Sequence, residues 1–515
     1  MNRRLVRAVH PACSLLSLAA ALLTGCAVAA AEPSTSAPPS APGSTTVTGL
    51  PGRRVAVDTP IDWYANPNAL VSQTLYLERC RGGCAIHGGA NNAQTNTSSI
   101  PTKAESTVSE FASSAGLTGA AADAEWNMLA TCMREVYSPY AVTVTDVKPT
   151  SGLFYHMAVI AGQPGDIGLS PDILGVAPLA SDCRAIDNVI SFSFANHHAK
   201  TADITANILN ICWTAAQESA HAYGLDHEYS FLTAFASNGH SACNDPMTYR
   251  VDCGGQKFFR NADADCGENT TRPCKCGATQ NSHLKILGVF GAGNPITARP
   301  SVSITGPLIG TVGTVISAQA GAQRGVAHVE LYFNAYKWSD EPGTAFGTRG
   351  QLNPDSYALH VPPDLPDSIV DVQAIAYDDL GVKTESAIVT LTKGAACTSA
   401  SACAKGQKCE SGKCFWDPPS GEIGASCSYA QFCKSGLCTG TKDEQICTQP
   451  CSLGVADACP KGLTCQANGA GPGSGVCFFD SVGGGCCSVE GGSTTWWVNL
   501  GLAAVALGLV RRRRR

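Results

Sequence analysis

The sequence has 515 residues, of which 44% are hydrophobic and 15% charged, which excludes a broadly disordered chain and a polytopic membrane protein and predicts several soluble domains. Its net charge of −6 becomes −14 without the eight terminal arginines at positions 3, 4, 7 and 511–515, and so acidic a body argues against nucleic-acid binding. The 26 cysteines favour an oxidising compartment, because a reducing cytosol would leave them as reactive thiols.

Residues 1–31 are typical of a secretory signal peptide. A basic start, MNRRLVR, precedes an apolar run from Ala12 to Leu23 and a stretch of small residues. The LTGC segment that ends at Cys26 resembles a lipobox, in which Cys26 would be acylated. Ala29–Ala31 offers an ordinary cleavage site instead, and the sequence leaves both open.

The composition of residues 32–59 predicts a linker, and the pattern of apolar residues over 60–294 predicts a folded α+β domain. The linker is rich in proline, serine and threonine and has little to bury. The domain has apolar runs that predict strands over 73–79, 141–147, 155–161, 175–179 and 189–194, with a helix over 126–136. The first predicted strand of this domain begins at Gln73.

The most informative stretch is Thr201–Tyr223, TADITANILNICWTAAQESAHAY. Its apolar residues recur at helical spacing, and Thr201 or Asp203 can cap the start of a helix. Gly224 follows directly and is a typical helix terminator. The stretch therefore predicts one long helix.

Three polar side chains of this region are expected to converge, with a fourth beside them. Gln217 and His221 are four residues apart and share one helix face, with Glu218 beside them. Gly224 permits a sharp turn that brings His227 back to the same face.

The string QESAHAYGLDH resembles the metzincin zinc-peptidase signature HExxHxxGxxH in every fixed position but the first. The segment Asp245–Tyr249, DPMTY, resembles the Met-turn that underlies the metal site in that clan. The order of predicted strands and helices over residues 60–290 is also that of a metzincin catalytic domain. The resemblance implies an α+β zinc endopeptidase domain.

The resemblance also implies a role for each matching residue. His221 and His227 would be zinc ligands through neutral imidazole nitrogens. Glu218 would be the general base that takes a proton from a zinc-activated water, which then attacks a peptide carbonyl. Met247 would support the ligands sterically, and Tyr249 would ligate zinc or bind the tetrahedral oxyanion.

Gln217 stands where the family has its first histidine, and its amide oxygen is a weaker zinc donor than imidazole. Three outcomes stay open. Gln217 ligates through its oxygen, or Tyr249 or another histidine fills the gap, or the site holds no metal and the domain only binds. The other histidines considered are more commonly surface or core residues, and they are His156, His197, His198 and His240.

Strand-like alternation and cysteine content predict two further kinds of module in the second half of the chain. Residues 295–393 contain short alternating runs, in which Val329, Leu331 and Phe333 share one face, and this pattern resembles an all-β immunoglobulin-like sandwich. Residues 394–480 carry twelve cysteines and few large apolar residues, so disulfides must hold them together. The ten cysteines of residues 60–294 permit five more disulfides, which we favour over a cysteine that ligates metal.

Residues 481–515 combine Cys486 and Cys487 with a 16-residue apolar run, Thr495–Val510, and five arginines. The run is short for a full membrane span of about 20 residues, but the arginines would stay cytoplasmic and leave the body facing outward. The tail resembles the MYXO-CTERM sorting signal of myxobacterial-type surface proteins. The resemblance implies proteolytic removal and anchoring near Cys486 or Cys487, and the alternative is a plain tail anchor.

Together these features predict an exported, surface-anchored, zinc-dependent endopeptidase of extracellular proteins. Its partners are then a protein or peptide substrate and, through a terminal anchor, a membrane, with no nucleic acid. The alternative is a catalytically inactive metzincin-fold binding or adhesion protein, because of Gln217.

Overall fold

The computed structural model of this chain describes residues 53–59, 71–150, 152–229, 244–250, 256–268, 270–343, 354–440, 444–455, 457–468, 471 and 473–479. The signal peptide with Cys26 and the tail with Cys486 and Cys487 lie outside these ranges. Within these ranges, no helix is both long and apolar enough to cross a membrane.

The part of the chain up to residue 290 contains the predicted helices and strands. Its described elements are, in order, β1 (Arg53–Thr59), β2 (Thr74–Glu78), β3 (Cys84–Gly88), β4 (Thr97–Ser98), β5 (Glu105–Val108), α1 (Asp123–Tyr137), β6 (Thr143–Thr145), β7 (His156–Ile160), β8 (Ile173–Ala180), β9 (Ile190–Ser193), α2 (Ile204–His221) and α3 (Ser282–Phe290). Each strand and helix predicted from the sequence is present, with ends that differ by a few residues.

The structure differs from the sequence analysis at β1, because the first strand begins at Arg53 rather than near Gln73. The segment was predicted as linker. Its sequence, RRVAVDT, contains two valines and a threonine, which favour strands, but also two arginines, an alanine and an aspartate. It forms a strand because it pairs with β8, which is distant in sequence. The pattern of residues within the segment itself gives no information about this pairing.

Six strands form one mixed sheet in the order β1-β8-β9-β7-β2-β6. β1 is parallel to β8, β8 is antiparallel to β9, and the other pairs are parallel. Most of the buried apolar side chains of α1, α2 and this sheet belong to one hydrophobic core. A disulfide between Cys132 and Cys212 also ties α1 to α2.

α2 carries polar side chains into the interior of this domain. Asp203 caps the start of the helix, and its side chain accepts a hydrogen bond from the Ala206 amide at 3.0 Å. Every residue from Ile211 to His221 is buried. Because a buried polar group needs a partner, the polar residues at the end of α2 require an explanation.

Residues 301–392 form two sheets that share one core. Their strands are β10 (Ser301–Gly306), β11 (Val315–Gly321), β12 (His328–Phe333), β13 (Tyr336–Pro342), β14 (Asp355–His360), β15 (Ile369–Tyr377), β16 (Lys383–Glu385) and β17 (Val389–Thr392). One sheet has the order β10-β11-β14, and the other is built around β13-β12-β15. Val329, Leu331 and Phe333 are buried in the common core, as their alternation predicted.

The last part of the described chain is held together by disulfides. Its strands are short, and they are β18 (Gln407–Glu410), β19 (Lys413–Trp416), β20 (Cys438–Gly440), β21 (Gln445–Cys447), β22 (Pro450–Ser452), β23 (Leu463–Ala467) and β24 (Ser474–Phe479). All twelve cysteines of this part are paired, as Cys397–Cys409, Cys403–Cys414, Cys427–Cys438, Cys433–Cys447, Cys451–Cys465 and Cys459–Cys477. The main hydrophobic cluster here consists largely of cysteines.

Four further disulfides lie in the first part of the chain, and they are Cys80–Cys84, Cys132–Cys212, Cys183–Cys276 and Cys266–Cys274. A fifth would need Cys243 and Cys253, which lie outside the described residues. The protein is therefore multidomain and mostly β, with few helices and a disulfide-rich C-terminal region. So many disulfides are typical of a protein that folds outside a reducing cytosol.

A buried ion cluster joins the first domain to the two-sheet region. Asp379 accepts two hydrogen bonds from the Arg324 guanidinium, at 2.6 and 2.8 Å, and Arg260 lies 3.3 Å from the same carboxylate. All three side chains are almost fully buried. Burial raises the pKa of Asp379, but the two arginines outweigh it and hold the pKa below its usual value.

Replacing Asp379 by alanine should lower the free energy of unfolding by about 3–5 kcal/mol, because two buried guanidinium groups lose their counter-charge. Denaturant titration measures this change. The matched control is Asp340→Ala, which removes a partly exposed carboxylate that pairs with Lys337 and should have an effect several-fold smaller. Equal effects of the two substitutions would contradict the structural role of the cluster.

Candidate metal centre

α2 ends at His221, and a tight turn brings the chain back beneath the helix. Gly224 in this turn has a φ of +88°, and a Cβ there would lie 2.0 Å from the carbonyl oxygen of Cys183. Only glycine combines this backbone conformation with such close packing. The turn returns His227 to His221, as the sequence predicted.

The imidazole rings of His221 and His227 meet edge to face, and their Nε2 atoms are 3.0 Å apart. The Nδ1 of His221 lies 2.8 Å from the carbonyl oxygen of Leu225. The Nδ1 of His227 lies 2.8 Å from a carboxylate oxygen of Glu268. A carbonyl or an ionised carboxylate only accepts hydrogen bonds, so each Nδ1 carries the proton and each Nε2 presents a lone pair.

Two lone pairs that face each other at 3.0 Å repel unless a cation lies close to both. Burial lowers the pKa of His221 to about 3, with His227 acting in the same direction. Burial also lowers the pKa of His227, although Glu268 opposes this. Neutral imidazole is the form that binds metal, and a metal-binding histidine usually donates its other N–H to a carbonyl or carboxylate. The pair therefore fits a divalent metal such as zinc.

Gln217 is fixed by one end of its amide only. Its Nε2 donates to the carbonyl oxygen of Met247 at 3.0 Å, whereas its Oε1 is buried without a hydrogen-bond partner. A buried amide oxygen without a donor is unfavourable, and a bound cation would satisfy it. The arrangement fits ligation through Oε1 among the outcomes that the sequence left open.

Glu218 is fully buried, and neither of its carboxylate oxygens has a hydrogen-bond partner. Burial raises its pKa well above the usual value, against the opposing attraction of Arg54. The side chain lies against β8 at Gly175, where an added Cβ would be 2.6 Å from a carboxylate oxygen. Any larger residue at this position would therefore force the Glu218 side chain to shift.

Met247 contacts Gln217 through its backbone. Met247 is fully buried, and its amide donates to Asp245 at 2.8 Å. Its carbonyl oxygen accepts from Gln217 and from the amide of Glu228, both at 3.0 Å. Met247 therefore orients Gln217 through its backbone, a role that the resemblance did not imply.

Tyr249 lies beside the histidines but is engaged elsewhere. Its ring packs against His227 with centroids 5.0 Å apart. Its hydroxyl accepts from the Arg54 amide at 3.0 Å and donates to the Arg54 carbonyl oxygen. In this structure Tyr249 therefore bonds to a peptide group and does not fill the position of the third metal ligand.

A charged network behind His227 was missed by the sequence analysis. Arg272 donates to both oxygens of Asp226, at 2.5 and 2.7 Å, and to Glu268 at 2.9 Å. The hydrogen bond with His227 and then Arg272 hold the pKa of Glu268 below its usual value. Glu268 and Arg272 lie in irregular structure without a motif, so no pattern in the sequence could have found them.

Three of the other histidines considered from the sequence are described, and their ring nitrogens do not contact the histidine pair. His156 is buried and lies 2.9 Å from the Ser191 hydroxyl, and His197 donates to the Pro171 carbonyl oxygen at 2.6 Å. His198 is buried, and neither of its ring nitrogens has a hydrogen-bond partner. His240 lies in a stretch that the structure does not describe.

A cleft of about 550 Å³ opens beside the histidine pair. Its walls carry both signs of charge, from residues that include Arg54, Asp58, His227, Tyr249, Arg272 and Lys275. The structure thus brings Gln217, Glu218, His221, His227, Met247 and Tyr249 together, as the sequence predicted, and adds Arg54, Gly175 and Glu268.

No family model matches the chain, and no curated protein matches it in sequence. Among solved structures, 19% of the chain is similar to fibronectin(III)-like modules of Clostridium thermocellum CbhA, with 18% identity and a TM-score of 0.14. The similarity covers 47% of that chain, which is less than half its length. A TM-score of this size does not define the fold of any part of the present chain.

Proposed function

We propose that residues 60–294 form a metzincin-type, zinc-dependent endopeptidase domain that hydrolyses peptide bonds of extracellular proteins. The observation that carries the proposal is the pair of neutral imidazoles, His221 and His227, whose unprotonated Nε2 atoms face each other at 3.0 Å. Zinc bound there would polarise a peptide carbonyl and lower the pKa of a water molecule to about 7.

Glu218 is the proposed general base. It lies on the same face of α2 as His221, one helical turn away. Its carboxylate is buried and neither oxygen has a hydrogen-bond partner, so both oxygens are available to accept a proton. It would take a proton from the attacking water and pass it to the leaving amine.

Tyr249 is the proposed donor to the substrate carbonyl. Its hydroxyl already donates to a peptide carbonyl oxygen, that of Arg54, in a strand that lies along β8. A substrate chain in the same place would present its own carbonyl to this hydroxyl. The proposal therefore assigns Tyr249 to carbonyl binding rather than to metal ligation.

The same proposal covers the remaining modules. Residues 295–393 would be an immunoglobulin-like spacer or binding module, and residues 394–480 a disulfide-held stalk. The tail with Cys486 and Cys487 would sort the protein to the cell surface and anchor it there. Support comes from the two sheets around one core and from the fully paired cysteines.

A second candidate function is favoured by Gln217. Its amide is tied to Met247, and a neutral amide oxygen is a weaker ligand than imidazole. If that position does not hold zinc firmly, the domain would be a catalytically inactive binding or adhesion module. Its binding of partners would then survive His221→Ala.

Zinc content and casein cleavage of the secreted protein, measured together, separate the two functions. The endopeptidase predicts one zinc per chain and cleavage that a chelator and His221→Ala both abolish. The matched control is His360→Ala, which removes an exposed histidine of β14 and should change neither. A metal-free protein without cleavage, or cleavage that persists in His221→Ala, would reject the proposal.

A further inference from the structure

A short segment, residues 256–260, lies between the candidate metal centre and the two-sheet region. On the first side, the Phe258 amide donates to the carbonyl oxygen of Asn244 at 2.8 Å, and Asn244 directly precedes the DPMTY segment. On the second side, the Arg324 guanidinium donates to the carbonyl oxygen of Phe259 at 3.1 Å. Phe258 and Phe259 are fully buried, so the segment is held from both sides out of contact with water.

Arg260, at the end of this segment, contacts both sides at once. Its guanidinium donates to the carbonyl oxygen of Arg324 and lies 3.3 Å from the carboxylate of Asp379, both in the two-sheet region. Its backbone amide donates to a carboxylate oxygen of Asp245 at 2.7 Å, which is in the first domain. Because the side chain of Arg260 is fixed in the two-sheet region, its backbone amide is held in position for Asp245.

Asp245 connects Arg260 to the backbone of Met247. One carboxylate oxygen of Asp245 accepts from Arg260, and the other accepts from the Met247 amide at 2.8 Å. The carbonyl oxygen of Met247 in turn accepts from the Gln217 side chain and from the amide of Glu228, both at 3.0 Å. All these groups are buried, and a buried polar group that loses its partner is unfavourable, so a shift at Arg260 is felt at Gln217.

The carboxylate of Asp379 keeps the Arg260 side chain in place. The guanidinium groups of Arg260 and Arg324 both lie against it, and each of the three side chains is at most 2% exposed. Two buried cations without this counter-charge would repel each other, and neither could be solvated without a rearrangement. Loss of the Asp379 charge should therefore move Arg260 away from its present position.

We infer that Asp379, in the two-sheet region, is a positioning residue for the candidate metal centre. It acts on Gln217 through Arg260, Asp245 and Met247, and each link is a contact between buried groups. As far as it concerns the metal, the inference rests on the proposed function. The two-sheet region is then part of the support of the metal ligands, and the first domain depends on it for a well-ordered site.

Two substitutions in the two-sheet region form a matched pair. Asp379→Asn keeps the shape of the side chain and removes the charge that holds Arg260. Leu331→Ala removes a fully buried side chain from the core of the same region, and Leu331 has no part in the contacts that lead to Gln217. Both should destabilise the protein, so denaturant titration first confirms that both are folded under the conditions of the test.

The first measurement is hydrogen exchange of the full chain without metal. The Met247 amide, which donates to Asp245, should exchange about tenfold faster in Asp379→Asn than in Leu331→Ala, because only the first substitution loosens this link. Equal exchange at Met247 in the two variants overturns the inference. If Asp379→Asn does not fold, Arg260→Lys replaces it, since lysine keeps the charge and the backbone amide but lacks the guanidinium contacts, and the same acceleration is expected.

The second measurement is zinc affinity, by competition with a chelating dye. Loss of a contact that orients a ligand costs about 10–100-fold in metal affinity, so Asp379→Asn should bind zinc at least tenfold more weakly than the wild type, and Leu331→Ala should resemble the wild type. Equal affinity in all three proteins overturns the inference and leaves the proposed function intact. A wild type that binds no zinc rejects the proposed function, whereas faster exchange at Met247 in Asp379→Asn would still support the positioning role.

Discussion

Replacing Glu218 by glutamine is expected to reduce kcat/KM for a peptide substrate by about 10²–10⁴-fold, because the amide cannot accept the proton of the attacking water. The substitution keeps the shape of the side chain against Gly175. It also removes a buried ionisable group that has no hydrogen-bond partner. The free energy of unfolding of the metal-free protein should therefore stay the same or increase.

The control for Glu218→Gln is Glu330→Gln, the same substitution at a buried carboxylate of β12 that bonds to Lys337 and lies in the two-sheet region. It should leave hydrolysis close to the wild-type rate. Kinetics with a quenched fluorescent peptide, together with thermal unfolding, measures both expectations. A folded Glu218→Gln protein with wild-type activity would show that Glu218 is not the base.

Replacing Gln217 by histidine is expected to produce the largest gain in zinc affinity. Loss of an outer contact alone costs about 10–100-fold in metal affinity, so exchange of an amide oxygen for an imidazole at a ligand position should exceed this range. The side chain at position 217 already extends to the Met247 backbone, because the Gln217 amide donates a hydrogen bond to the Met247 carbonyl oxygen. Competition with a chelating dye measures the affinity.

Gln217→Ala is the companion variant, because it removes the amide without supplying a new ligand. If Oε1 ligates the metal, zinc affinity should be highest in Gln217→His, lower in the wild type and lowest in Gln217→Ala. If the wild type and Gln217→Ala bind zinc equally, Gln217 is not a ligand. A histidine variant that binds no more tightly than the wild type would show that position 217 does not face the metal.

The sequence predicted those parts of the site that depend on local geometry. The spacing of Gln217 and His221 on one helix, and a glycine at position 224 where φ is positive, suffice to bring His227 back beneath α2. The short segment DPMTY singled out Met247 as a residue close to the histidines. The alternation of Val329, Leu331 and Phe333 likewise predicted which side of β12 is buried.

The missed parts depend on contacts between distant segments. β1 is a strand because of its pairing with β8, and Gly175 matters because Glu218 packs against it. The hydrogen bond of Glu268 to His227 joins an irregular loop to the turn after α2. None of these contacts leaves a periodic or compositional signal, and the disulfide pairing is undetermined by sequence for the same reason.

The most direct test of the central claim is an anomalous-scattering crystal structure of the secreted protein grown with zinc. The account predicts a peak at the zinc absorption edge between His221 and His227, about 2.0–2.1 Å from each Nε2. Soaked crystals without a peak at this position, or with the two imidazole rings turned away from each other, would contradict it.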